Sequence, residues 1–248
     1  MYMDNTSLVK DTAADGPSTA FYFQRLRLQS VFVVSPGLML TTRLDAMERA
    51  WGAARSNGPL VTTNDTLSAG TAAENENIVI DLAYVTYISP IGVFAAGYQI
   101  DNVWGTVFAD NSLPTGKVTY TIVTGPIAAG LQIGKNIENS RTNKLASIQA
   151  DADSNFYTAF GKYTGKNFEA GLLLKFIDNA TNTAVAPTYA RQQVLNTLPY
   201  FKAKLGPVAM QGEVVFSYGK VEFGDETPAA VKLAIGDDEV EIQSWAAW

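Results

Sequence analysis

Cysteine and histidine are both absent from this chain of 248 residues. Without cysteine there are no disulfides, thiolate nucleophiles or metal thiolates, and the fold has to hold without covalent staples. Without histidine there is no imidazole for a Ser-His-Asp arrangement, no HExxH zinc site, and no side chain whose unperturbed pKa lies near neutrality. Long apolar runs are missing as well: no stretch approaches the roughly 18 to 20 residues that a membrane-spanning helix needs. Basic residues are outnumbered, 18 against 24 acidic ones for a net charge of -6. That balance argues against a nucleic-acid partner, which calls for clustered Lys and Arg in excess. Two architectures are left: a soluble all-β protein, or a β-barrel whose apolar residues occupy alternate positions and so escape a hydropathy average.

What the chain does have is regular punctuation. Ser35-Pro36-Gly37, Ser89-Pro90-Ile91-Gly92, Thr124-Gly125-Pro126, Thr164-Gly165-Lys166 and Gly206-Pro207 are tight turns, and they alternate with long polar stretches. Hairpins that are short on one side and long on the other mark a transmembrane barrel, with short periplasmic turns and long extracellular loops. Period-2 alternation bounded by turn residues predicts about a dozen strands, at 1–8, 20–34, 38–51, 76–88, 93–100, 116–123, 127–135, 154–163, 167–177, 192–204, 208–222 and 237–248. The long connections fall at 9–19, 52–75, 101–115, 136–153, 178–191 and 223–236, rich in Asn, Asp, Thr, Ser, Gly and Ala.

The two faces of these strands differ in kind. Tyr22, Leu26, Leu28, Phe32 and Val34 share one parity, and Arg25, Arg27 and Gln29 the other. Leu38, Leu40, Leu44 and Ala46 oppose Thr41, Arg43, Asp45 and Arg49; Ile78, Ile80, Leu82 and Tyr84 oppose Asp81. The same division separates Val118, Tyr120 and Ile122 from Lys117, and Phe168, Leu172, Leu174 and Phe176 from Glu169 and Lys175. It also separates Phe201 and Leu205 from Tyr200, Lys202 and Lys204, and Val208, Met210 and Phe216 from Gln211 and Glu213. In 154–163 both parities carry aromatics, Phe156 and Phe160 against Tyr157 and Tyr163, and the orientation is not assigned. Folding the chain about Pro36 sets Leu28 against Leu44 and Arg27 against Asp45; folding it about Gly206-Pro207 sets Leu205 beside Val208 and Lys202 beside Gln211. Such pairs contribute roughly 0.2 to 1 kcal/mol each.

A soluble sandwich shows the same alternation with its apolar face packed inside. Strands near or above the roughly 9 to 11 residues needed to cross a bilayer, together with the short-then-long rhythm of connections, favour the barrel. Segments such as FYFQRLRLQSVFVVSPGLMLTTRLDAMERAWG, ENIVIDLAYVTYISPIGVFAAGYQ and GPIAAGLQIGKNIE resemble the N-terminal strands of long-chain Gram-negative outer-membrane porins. The resemblance covers most of the chain in pattern and phrase. It implies a bacterial outer-membrane location, contact with lipid and lipopolysaccharide, passive transport of small hydrophilic solutes, and a homotrimer. Porins of that kind have 16 or 18 strands, and Met1-Tyr2-Met3-Asp4 opens without a basic n-region or an apolar h-region. The expectation is therefore a single barrel domain over 1–248 that is a fragment of a longer one.

Arg25, Arg27, Arg43, Asp45 and Arg49 make the densest charged patch on a water-facing surface, and Asp81 and Lys117 are further residues expected to line the bore. A wall of this kind either filters solutes by charge or is a mutually neutralised ladder. Glu169, Lys175, Lys202, Lys204 and Glu213 form a second patch. The loop from Asp101 to Gly116, with Trp104, Phe108 and Asp110, is more aromatic than a solvated loop should be. It either folds inward and narrows the bore or extends the strand pair above the membrane. Tyr87, Phe94, Tyr163, Phe176, Tyr218 and Trp248 suit interfacial girdles. Glu239 and Glu241 are a same-face acid pair, and Asp151-Ala152-Asp153 matches no calcium loop. No metal, cofactor or catalytic activity is expected. The leading function is a diffusion channel; the alternatives are a barrel with a blocked lumen and partner-binding loops, and a secreted soluble β-sandwich.

Overall fold

The computed structural model describes residues 2–5, 18–51, 78–110, 112–139, 152–183, 189–225 and 227–248. The connection expected at 52–75 and most of those at 9–19 and 136–153 lie outside the described residues, as does the side chain of Arg49. Contacts group the chain into two compact units, Met1–Phe32 with Thr41–Ala83, and Val33–Leu40 with Tyr84–Trp248.

The strands are β1 (Tyr2–Asn5), β2 (Ser18–Phe21), β3 (Phe23–Ser35), β4 (Leu38–Ala50), β5 (Val79–Ser89), β6 (Gly92–Asp101), β7 (Leu113–Thr124), β8 (Ile127–Ile137), β9 (Ser154–Thr164), β10 (Phe168–Asn182), β11 (Ala190–Leu205), β12 (Val208–Phe223) and β13 (Glu239–Ala247), with one helix, α1 (Ala229–Ile235). β1 and β2 pair with each other, and β3 to β13 are hydrogen-bonded neighbours in chain order, giving an up-and-down sheet of 11 strands. Its order begins at β3 and ends at β13, and no pairing joins those two strands among the described residues. All five expected tight turns fall between strands, and left-handed glycines stand in three of them: Gly37 at φ 80°, Gly125 at φ 55° and Gly206 at φ 62°.

Three expectations need correction. The strand expected over 20–34 is divided at Tyr22. The connection at 178–191 is shorter, because β10 runs on to Asn182 and β11 starts at Ala190. The connection at 223–236 contains α1, which opens after Pro228 and ends at Gly236 in the left-handed conformation, its N–H bonded to the Lys232 carbonyl.

The residues of the apolar parity stand at the surface. Leu28 is 51% exposed and Leu172 44% exposed, while the Lys175 side chain retains only 12%. A sandwich would show the reverse. Leu82 departs from this pattern, being buried although its neighbour in parity, Ile80, is exposed. β9 is now oriented: Phe156 and Phe160 turn to the charged face, because Gly134 and Gly130 lie opposite them on β8 and leave room for the rings. Tyr157 and Tyr163 take the apolar face. On the edge strand β13 it is Trp245, paired with Phe216, that joins the apolar face, whereas Val240, Ile242, Ala246 and Trp248 fall on the other parity.

The apolar face ends abruptly along one cross-strand line. Ile133, Tyr157, Phe176, Leu195 and Tyr218 form a continuous exposed row across β8 to β12. The next row on the same face, two residues toward the long connections, is Lys135, Asn155, Asp178, Gln193, Lys220 and Glu241. There Arg191 donates to both oxygens of Asp178 at 2.8 and 2.6 Å, and Lys220 is ion-paired with Glu222 and Glu239. From the turns to this line the face is apolar over some ten residues per strand, about 33 Å along the chain, which a strand tilt of 35–45° reduces to a height of about 25 Å.

Candidate functional site

The unit formed by Met1–Phe32 and Thr41–Ala83 carries a ladder of alternating charge. Arg27 donates from Nε and Nη2 to the two oxygens of Asp45 at 2.7 and 2.5 Å. Arg25 stands 3.9 Å from Asp45, Arg27 also lies 3.6 Å from Asp81, and Arg43 donates twice to Asp81. Period 2 places all five on one parity of β3, β4 and β5, where each carboxylate lies between two guanidinium groups. Among the described residues the ladder holds three cations and two anions.

In the second unit the segment after β6 turns back onto the charged face of β9 to β12. Asp101 is the hinge: its two oxygens accept from Lys117 at 2.7 Å and Lys175 at 2.6 Å, and Lys175 also donates to Asn102 at 2.7 Å. Lys175 lies 4.3 Å from the Phe156 ring centroid, so its charge is held by an acid, an amide and a π face together. Trp104 fits over Gly171, between Phe160 and Tyr200 at ring distances of 5.8 and 5.2 Å, and its indole N–H donates to the Leu198 carbonyl at 2.9 Å. A Cβ at Gly171 would stand 2.9 Å from the indole, so the seat exists only because that residue is glycine. Gly105 follows with φ 61°, and a side chain there would meet a Glu213 oxygen at 2.8 Å. Thr106 then gives its backbone N–H and its hydroxyl to the same Glu213 oxygen at 2.7 and 2.6 Å.

This seated segment bounds a cavity of about 600 Å³ lined by Asp101, Trp104, Lys117, Phe160, Lys162, Glu169, Lys175, Tyr200 and Lys202 among others. Glu169 accepts from the Tyr200 hydroxyl at 2.9 Å and the Thr164 hydroxyl at 3.3 Å. Lys162 and Lys202 stand 3.9 and 3.8 Å from it.

The residues singled out from the sequence are thus distributed unevenly. Asp101, Trp104, Asp110, Lys117, Glu169, Lys175 and Lys202 share the cavity wall. Phe108 is exposed, Lys204 is exposed beside the Gly206-Pro207 turn, and Asp110 accepts from Ser112 at 2.7 Å. Glu213, expected to face water, is 2% exposed and lies under the seated segment. Asp153 is buried, bonded to Lys135 at 2.7 Å and to the Asn139 N–H at 3.0 Å. Thr106, Gly105, Gly171, Tyr200 and Lys162 complete the site and were not singled out. Gly171 had a visible signal, as the one small residue where the charged parity of β10 should carry a side chain.

An apolar face in contact with the surroundings and an ion-paired face behind it, on consecutive antiparallel strands, is the architecture of an outer-membrane β-barrel wall. No protein-family model matches the chain, and no curated protein does. Among solved structures it is similar to OmpTdeltaL8, the loop L8 deletion mutant of OmpT, an outer membrane protein of Vibrio cholerae, at 10% identity and a TM-score of 0.35, covering 94% of each chain. It is also similar to in-vitro folded OmpT of Vibrio cholerae, at 10% identity and a TM-score of 0.28, over 82% of this chain and 74% of that one.

The exclusion of catalysis drawn from missing histidine and cysteine is withdrawn. The cavity gathers carboxylates, lysines and a tyrosine in one wall, groups that can act in proton transfer without an imidazole.

Proposed function

We propose that the chain forms the wall of a channel in the bacterial outer membrane through which small hydrophilic solutes diffuse. The observation that supports this best is the segment Asp101 to Asp110 folded against the charged face beside a cavity that keeps lysines and carboxylates in contact with water. A segment so placed narrows a bore without filling it. The polarity change just beyond Tyr157, Phe176, Leu195 and Tyr218 supports the membrane assignment, since aromatic girdles followed by charged residues are what a lipid–water boundary selects.

The test is conductance of the purified full chain in a planar bilayer. Discrete, ohmic steps are expected. A bilayer that stays silent although the protein has inserted overturns the channel and leaves a barrel with a blocked lumen. A chain that stays monomeric and folded without detergent overturns the membrane assignment.

A further inference from the structure

Lys162 and Lys202 differ from the other lysines of the cavity in what they bond. Lys117 and Lys175 are spent on Asp101 at 2.7 and 2.6 Å, and their side chains are 6% and 12% exposed. Lys162 and Lys202 stand 3.9 and 3.8 Å from Glu169, beyond hydrogen-bond distance, and are 41% and 42% exposed. Both Glu169 oxygens are already taken by the hydroxyls of Tyr200 and Thr164. Neither ammonium donates a hydrogen bond to any of the described residues. Each has three donors to give; both line the cavity, and the Lys202 ammonium lies 5.6 Å from the Tyr200 ring centroid.

The local charge favours an anion. Lys117, Lys162, Lys175 and Lys202 stand against Asp101, Asp110 and Glu169 in the wall, and the nearby Lys166 and Lys204 have no acid partner among the described residues. An excess of one sign in a partly enclosed place raises the local concentration of the opposite sign. Trp104, Phe160, Leu173 and Leu198 give the wall an apolar portion, beside polar residues that include Gln132, Asn136, Thr158 and Asn196. A volume of about 600 Å³ lies in the range that holds small organic ligands, roughly 300 to 1,000 Å³.

We infer that Lys162 and Lys202, with Trp104 and Phe160, form a binding site for a small organic oxyanion, a carboxylate or phosphate ester carrying an apolar ring. The lysines take the oxyanion and the rings take its body. As a statement of which solutes pass, this rests on the channel reading above; as a binding site, it does not.

The full chain, folded in detergent, is titrated with phenyl phosphate, benzoate, inorganic phosphate and neutral phenyl glucoside while tryptophan emission is followed. Trp104→Phe assigns the signal. Saturable quenching by phenyl phosphate, benzoate or both is expected, and which of the two binds identifies the head group. Inorganic phosphate and phenyl glucoside should bind at least about tenfold more weakly. The variant K162Q/K202Q should lose at least about tenfold in affinity. Glu169→Gln should bind more tightly, a gain that misfolding cannot produce. Equal response to phenyl glucoside, unchanged affinity in K162Q/K202Q, or weaker binding in Glu169→Gln overturns the site. Because emission needs no membrane, a chain that binds but passes no current upholds the site while sinking the channel.

Discussion

Thr106 gives two hydrogen bonds to a single oxygen of Glu213, at 2.7 and 2.6 Å, across 107 residues of chain. The other Glu213 oxygen is buried with no hydrogen-bond partner. The Thr106 hydroxyl also accepts from the Phe108 N–H at 3.1 Å, so one side chain fixes both the wall and the turn that follows. A buried carboxylate with so few partners depends heavily on each one.

Thr106→Val keeps the shape and removes the hydroxyl. It should weaken the seating of 101–110 by about 1–3 kcal/mol, leaving the strands folded. Protease cleavage confined to this segment, with a larger single-channel conductance, is the expected result. Unchanged cleavage and conductance would show that Glu213 does not hold the segment.

Gly171→Leu attacks the same segment from the other side. A Cβ there would stand 2.4 Å from the Tyr200 ring and 2.9 Å from the indole, so a leucine breaks the packing of Trp104 on Tyr200 and over this strand. Tryptophan emission should shift to the red and the Trp104 bond to Leu198 be lost. Gly161→Leu on the adjacent strand, where a Cβ meets nothing within 4 Å, should leave the emission unchanged.

The boundary on the apolar face makes a paired prediction. Leu172→Arg, well inside the apolar band, should cost about 2–4 kcal/mol of stability in lipid vesicles, and Gln193→Arg, in the charged row beyond Leu195, about 0–1 kcal/mol. Equilibrium unfolding by denaturant in vesicles measures both. Equal costs would place the boundary elsewhere.

Asp45→Asn with Asp81→Asn removes both acids between Arg25, Arg27 and Arg43. In a conducting channel the reversal potential in a salt gradient should move toward anion preference. The shift should be greater at low ionic strength, where a Debye length of about 30 Å at 0.01 M leaves the guanidinium groups less screened. An unmoved reversal potential would mean that these residues line no ion path.

The wall of this protein was legible because its determinants are local. Pro36-Gly37 and Gly206-Pro207 specify turns by backbone chemistry, and once a turn is placed the period of 2 fixes every pair: Leu205 with Val208, Ala203 with Met210 and Lys202 with Gln211 stand as the alternation requires. The site was legible only in its residue types. Aromatic content raised an inward fold of the segment after Asp101 as one of two readings, but the glycine that receives Trp104 and the threonine that reaches Glu213 are joined by contacts with no periodicity. The helix after Pro228 was missed despite its start and stop signals, because seven residues are too few to show a helical repeat. β9 could not be oriented because aromatics occupy both parities, and the deciding glycines, Gly130 and Gly134, lie on its neighbour.

Pro199 interrupts the pairing of β11 with β12: neither it nor Leu198 has a partner there, and it is the Leu198 carbonyl that receives the Trp104 indole. Proline has no N–H to offer a ladder. The wall is thus finished at that point by a side chain made some ninety residues earlier, with four complete strands and half of a fifth between it and its acceptor. A chain cut short before β11 would keep Phe160 and Gly171 beneath the indole but leave its N–H without the Leu198 acceptor and its ring without Tyr200.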